Sequence, residues 1–233
     1  MLPHPIVDIY YPSFNDYSGF VSVVAFLNEC RLSCEYCFSK KIVRGLPVKN
    51  LDKELLRVLN NKYIEALVLT GGEPMLHDEW ILEFLNEVDK PVKLDSTLTV
   101  GVDSSIYSKI SGISIGIKPE EWLNDVAITF YEENLAHIVN SPDINFVELR
   151  VAISPENATK LSSSIKRTCS ILKPIKDKCK IRLTNALYID EDSNNSLFTP
   201  LSQTAFFGHY KFYMYLFNTY GFNDEIEGEK GCK

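Results

Sequence analysis

The chain has 233 residues, 45% of them hydrophobic, with a net charge of −7 and a pI near 5.2. That length supports one substantial core and falls somewhat short of a complete eight-unit barrel, so residues 1–233 are read as a single domain with its core at about 20–190. The acidic balance gives no general electrostatic reason to bind nucleic acid or an anionic membrane, and neither is expected as a partner. No apolar run reaches about 18 residues, and the opening Met1-Leu2-Pro3-His4-Pro5 lacks the basic and apolar regions of a secretory signal. A cytoplasmic location is expected, and in that reducing compartment the six cysteines are not read as three disulfides.

Residues 21–27 form a nearly continuous valine-rich run, the pattern of a strand buried on both faces in a parallel sheet. After a turn at Gly45-Leu46-Pro47, residues 51–61 place Leu51, Leu55, Leu56, Val58 and Leu59 at helical spacing, and 66–70 is the next buried strand. The alternation continues with a helix near 79–88, a strand near 92–95, a helix near 104–110 and a strand at 113–117. A helix near 131–139, a strand at 146–153, a helix near 157–172 and a strand at 181–187 follow. Six strands alternating with five helices predict a parallel α/β fold with right-handed crossovers, met by an open doubly wound sheet or by a (β/α)6-type partial barrel. Residues 190–196 read as a polar loop, about 203–221 as a C-terminal helix crowded with aromatics, and 223–233 as a polar tail.

Cys30, Cys34 and Cys37 sit in the loop leaving the first strand, spaced Cys-x3-Cys-x2-Cys. Closely spaced thiolates in one loop can converge on one face of a four-iron, four-sulfur cubane. Three ligands for four irons leave one iron open, which separates a reactive site from a closed structural one. A zinc site completed by His77, His137, His209 or Cys232 is the alternative, although zinc sites usually bring two separated ligand pairs and no second pair is present. Cys169 and Cys179 read as small packed hydrophobes and Cys232 as a free thiol.

The strand at 66–70 runs into Gly71-Gly72-Glu73-Pro74 about 35 residues downstream of the cysteines. Glycines there let backbone groups approach a ligand, and ligands of parallel α/β sheets gather at the carboxyl ends of strands. The combination resembles the radical S-adenosylmethionine superfamily. From about Ser13 to Arg150 it is most similar to activating enzymes of the anaerobic ribonucleotide reductase and pyruvate formate-lyase type. Ser13-Phe14-Asn15-Asp16-Tyr17-Ser18-Gly19 resembles their Ser-Phe-x-Asp-Tyr-Pro-Gly, and Val24-Ala25-Phe26-Leu27-Asn28-Glu29-Cys30 resembles their Val-Val-Phe-x-x-Gly-Cys.

The resemblance implies a radical SAM core, a 4Fe-4S cluster on the three cysteines, and S-adenosylmethionine (SAM) chelated by the open iron. It implies Tyr36 and Phe38 beside the adenine, Gly71, Gly72 and Glu73 at the amino group, and Asp95, Ser96 and Arg150 near the amino acid end. It further implies a glycyl radical enzyme as protein substrate and a flavodoxin or ferredoxin as electron donor. A small-molecule or peptide substrate, as in carboxydeazaguanine synthases, and a non-catalytic iron-sulfur module are the alternatives. The chain departs from the family pattern at Phe38-Ser39-Lys40 (for His-Asn-Pro), Ser96-Thr97-Leu98 (for Thr-Asn-Gly) and Gly116-Ile117-Lys118 (for Asp-x-Lys). Lys118 is a candidate to replace the missing cation with its own charge, and His77 a candidate proton donor.

Overall fold

The computed structural model describes residues 4–34, 36, 37, 39–186 and 203–222. In chain order the sheet strands are β1 (Ile6–Ser13), β2 (Ser22–Leu27), β3 (Ala66–Gly71), β4 (Val92–Ser96), β5 (Gly112–Gly116), β6 (Phe146–Ile153) and β7 (Cys179–Asn185). They lie side by side in that same order. Five successive parallel pairings carry the alternation read from the sequence, and the sheet remains open between β1 and β7. This is a partial barrel.

The helices are α1 (Lys40–Val43), α2 (Leu51–Leu59), α3 (Asp78–Phe84), α4 (Asp125–Asn140), α5 (Ser162–Leu172) and α6 (Gln203–Thr219). In α2 the acidic Asp52 and Glu54 occupy the first turn, where they meet the positive helix end, and Leu55, Val58 and Leu59 turn into the core. The α4 start is capped by the Asn124 side chain, which accepts from the Ala127 amide at 2.8 Å. α6 packs through Tyr213 and Phe217, both fully buried, and the Tyr213 hydroxyl donates to the Ala158 carbonyl at 2.6 Å.

Four expectations need correction. β1 is an additional strand, antiparallel to β2, and Ser13–Gly19 therefore links two strands rather than preceding the first. The helix expected at 104–110 is a short 3-10 turn, Ser104–Ser108, capped by Asp103. The helix expected from 157 begins at Ser162, because the buried Asn157 side chain bonds the Ser154 amide and the Ala152 carbonyl and holds the chain in a turn. The helix expected at 79–88 splits into α3 and a 3-10 turn, Leu85–Glu87. The loop at 190–196 and the tail at 223–233, with Cys232, lie outside the described residues.

Period-two alternation divides the sheet into two faces. Val23, Ala25 and Leu27, Leu67 and Leu69, Val92 and Leu94, Ile113 and Ile115, and Val147, Leu149 and Val151 join the main core with the helices. The second face is apolar at its amino-terminal end, where Tyr17, Val24, Ala66 and Val68 cluster with Phe20, Phe26 and Phe146. A Cβ on Gly112 would stand 2.8 Å from the Tyr17 hydroxyl, so only glycine admits that ring.

Above this plug the second face is ionic. Lys93, only 1% exposed, lies 3.2 Å from Asp95 Oδ1 and 3.7 Å from Glu148 Oε2, and donates to the Asp16 carbonyl. Arg150 reaches Asp95 Oδ2 at 2.7 Å and also bonds Glu148. Glu148 in turn accepts from Ser114 at 2.7 Å and from Arg182 at 3.1 Å. Burial pushes the Asp95 and Glu148 carboxyls up, but Arg150 and then Lys93 pull harder and hold both below the usual carboxylate range. A carboxylate with a lowered folded-state pKa stabilises above its unfolded value, and that contribution disappears as pH falls through the folded value. Glu148→Gln is therefore expected to lose about 3 kcal/mol at pH 7 by uncovering buried cations. The gap from wild type, measured by urea unfolding, is expected to narrow as pH is lowered toward about 3, and a gap constant across that range would refute the assignment.

Candidate functional site

The carboxyl ends of β2 and β3 are fused by backbone. The Gly72 amide donates to the Leu27 carbonyl at 2.8 Å and the Glu73 amide to the Glu29 carbonyl at 2.7 Å. A Cβ at Gly72 would lie 1.7 Å from the Glu29 oxygen, and one at Gly71, whose φ is 108°, would lie 2.5 Å from the Leu27 oxygen. Both glycines are thus required by the neighbouring loop itself. The Glu29 amide donates to the Val43 carbonyl of α1 at 3.0 Å, which closes the cysteine loop back on its own root.

Cys30, Cys34 and Cys37 are all partly exposed on this loop. The Cys37 amide donates to the Cys34 carbonyl at 3.1 Å, and the Cys30 sulfur accepts from the Leu32 amide at 3.4 Å. Burial pushes the Cys30 thiol up to about 11; the Leu32 amide opposes this, while the charges of Glu73, Cys34 and Cys37 add to it. Three cysteine sulfurs are the donor set that iron-sulfur clusters use, and cluster binding would deprotonate them. Among the described residues no three His, Cys, Asp or Glu side chains are already set around one metal point. The three cysteines share one loop, but their side chains do not converge on a single point.

Glu73 and Ser96, both expected at the cofactor, bind each other. The Glu73 carboxylate is 2% exposed and accepts from Ser96 Oγ at 2.6 Å, from the Thr97 amide at 2.8 Å and its hydroxyl at 2.5 Å, and from the Met75 amide at 3.2 Å. Its four hydrogen bonds fasten the turn after β3 to the turn after β4, a positioning role. Asp95 belongs to the ionic face described above. Arg150, also part of that face, keeps Nη2 buried with no hydrogen-bond partner among the described residues. A buried guanidinium donor without a partner fits an acceptor such as a ligand carboxylate.

Tyr36 is enclosed by residues beyond β5. Lys118 Nζ donates to the Tyr36 hydroxyl at 3.2 Å and lies 5.0 Å from its ring centre, while the Trp122 ring is 5.9 Å away. A cleft of about 150 Å³ borders this cluster, with Arg31, Leu32, Trp122, Leu123, Ala127 and Phe130 in its wall. Phe38 lies outside the described residues. His77 Nε2 meets the Asn28 carbonyl at 3.0 Å and so braces the Gly-Gly-Glu-Pro segment against the cysteine loop. Cys169 is fully buried in the core, and the Cys179 thiol donates to the Ile175 carbonyl at 3.5 Å. The sequence reading missed Lys93, Glu148 and Arg182. Strand periodicity carried the signal, since residues 93 and 95, and 148 and 150, must share a face.

Residues 18–111 match the family model described as a 4Fe-4S single cluster domain. The chain is 33% identical over 101 residues, 40% of its length and 39% of the relative's, to a Methanocaldococcus jannaschii protein named as a glycyl-radical enzyme activating enzyme. It is 36% identical over 92 residues, 38% of each chain, to 7-carboxy-7-deazaguanine synthase of Clostridium acetobutylicum. It is 32% identical over 62 residues, 25% of this chain and 13% of the relative, to L-lysine 2,3-aminomutase of Bacillus subtilis. The chain thus spans well under half the length of these relatives. A three-cysteine loop locked to a glycine turn at the mouth of a parallel partial barrel, together with these matches, makes the chain similar to members of the radical S-adenosylmethionine superfamily over its first half.

Proposed function

We propose that the protein holds a 4Fe-4S cluster on Cys30, Cys34 and Cys37, binds SAM beside it, and generates a glycyl radical on a partner anaerobic reductase or lyase. The observation that carries the proposal is the double backbone weld between the cysteine loop and the Gly71-Gly72 turn. When bound, the reduced cluster and SAM supply a 5′-deoxyadenosyl radical, which removes a hydrogen atom from substrate. The chain's own residues hold these parts in line. Arg150 Nη2 is the donor left for the SAM carboxylate, with Asp95 and Glu148 fixing the rest of the guanidinium. Tyr36, backed by Trp122 and Lys118, offers an aromatic face toward the adenine, with Phe38 as its partner from the same loop. Gly71 and Gly72 present main chain rather than side chain at the mouth, and Glu73 and Ser96 support that turn from behind.

The relative named as a glycyl-radical enzyme activating enzyme supports the protein substrate. The open sheet edge suits it as well, because a partner's loop can enter from the side and exclude water as it does so. A second reading, a small anionic substrate, is favoured by Lys180 and Arg182, which alternation places on the ionic face of β7, and by the similarity to the deazaguanine synthase.

After anaerobic reconstitution and dithionite reduction, the protein is expected to release 5′-deoxyadenosine from SAM, and a glycyl radical signal is expected only when the partner enzyme is present. Turnover with a small anionic substrate and no partner would instead select the second reading. Cys34→Ala is expected to abolish cluster assembly, read as iron and sulfide content; a full complement of zinc in place of iron would end the proposal. Arg150→Lys keeps the charge but removes Nη2, and is expected to weaken SAM binding to the reconstituted protein about 10-fold or more by calorimetry. Undiminished affinity would remove Arg150 from the cofactor site.

A further inference from the structure

We infer that the outer edge of β7 accepts an extended, acidic segment of another protein as an added strand. Such docking needs neither the cluster nor SAM, and so stands apart from the proposed chemistry. The Ala186 amide donates to the Ile153 carbonyl at 2.8 Å, and Ile153 is in register with Asn185. In a parallel ladder this pairing commits the backbones of Lys180, Arg182 and Thr184 to β6 and turns those of Ile181 and Leu183 outward. Among the described residues, the two amides and two carbonyls of Ile181 and Leu183 have no hydrogen-bond partner.

The two edges of the sheet differ in how they meet solvent. On β1 Pro12 lacks an amide, the register with β2 shifts twice, and the Val48 amide takes the Ile6 carbonyl at 2.9 Å. Proline and bulges are the usual means of blunting an edge against strand addition. β7 has neither, and its seven residues pair with β6 without a shift. An unblunted edge supplies main-chain affinity to an incoming strand, and the side chains that alternate along it supply selectivity. Ile181 and Leu183 face the helices, packed partly buried against the main core. Lys180 and Arg182 face the other way: Lys180 is exposed with Nζ 5.9 Å from the Phe146 ring centre, and Arg182 reaches Glu148 at 3.1 Å. The strand residues of that face carry Lys93, Arg150, Lys180 and Arg182 against only Asp95 and Glu148. An added strand with carboxylates at alternate positions would set them beside Lys180 and Arg182 and balance this excess, while the residues between lie along Ile181 and Leu183.

The test follows fluorescence anisotropy of a labelled, end-capped peptide of alternating aspartate and valine on the full-length protein. N-methylation of one alternate set, the aspartates or the valines, is expected to abolish binding, and methylation of the other set to leave it nearly unchanged. Loss with both sets, or with neither, would overturn strand addition. Ile181→Pro removes an outward amide without touching the β6 ladder and is expected to weaken binding about 10-fold, with far-UV circular dichroism unchanged. Lys180→Glu is expected to reverse the charge preference, so that a lysine-valine peptide binds better than the aspartate-valine one, with the difference shrinking as salt screens it. An unaltered preference would remove the acidic partner. A wild-type dimer that Ile181→Pro dissolves in sedimentation would give the edge to a second copy and overturn the proposal. Equal peptide affinities are expected before and after cluster reconstitution, so a protein that binds the peptide but releases no 5′-deoxyadenosine would overturn the proposed activity and leave this edge standing.

Discussion

The contact on which the site depends is the approach of the Gly72 backbone to the Glu29 carbonyl, so close that a methyl group would sit 1.7 Å from the oxygen. Two loops that leave neighbouring parallel strands are normally independent. Here the amides of Gly72 and Glu73 are spent on the Leu27 and Glu29 carbonyls, so the root of the cysteine loop inherits the rigidity of the sheet. The restraint passes onward through Glu73, whose buried carboxylate seizes Ser96 and Thr97 at the end of β4. Three strand ends are therefore held by one chain of hydrogen bonds, and the sulfurs hang from the first of them.

Two positions on that chain of contacts show how much backbone geometry outlasts residue identity. Glu29 and Leu98 both have positive φ, 61° and 60°, and both stand where the sequence pattern that the chain resembles has glycine. A non-glycine residue in this region costs about 1–2 kcal/mol. For Leu98, which is fully buried, the removal of its side chain from water offsets about that amount. Glu29 is exposed and has no such compensation, so its strain is carried by the weld itself, through its carbonyl to Glu73 and its amide to Val43.

The parallel strands were legible because each needs an apolar face toward the helices, and that need writes itself as short runs of valine, leucine and isoleucine. β1 was not legible for the same reason in reverse. Its residues Tyr10 and Tyr11 are exposed, Asp8 interrupts the alternation, and Pro12 suggests a break, so an edge strand looked like a leader to the core. The three cysteines stand out in the sequence by their spacing, whereas the mutual bonding of Glu73 and Ser96 does not. The resemblance puts both near a ligand; in the structure the carboxylate and the hydroxyl, within reach of one another in a dry turn, also bond each other. The ionic face was half visible. Asp95 and Arg150 were singled out, but their buried companions Lys93 and Glu148 needed the register of three strands to be recognised.

The departure at Gly116 finds its explanation across the mouth of the barrel. A Cβ at this position would make ordinary contacts, with the Ser96 carbonyl oxygen at 3.7 Å and Lys118 Cε at 3.8 Å, so nothing steric demands glycine there. An aspartate at 116 would stand beside the Lys118 stem and draw the ammonium back toward β5. The Lys118 side chain crosses to the cysteine loop, where it donates to the Tyr36 hydroxyl and lies against its ring. Burial alone would pull the Lys118 pKa down, yet Tyr36 and then Cys34 beside it hold it above the ordinary lysine value, so the ammonium stays charged beside the cysteine loop.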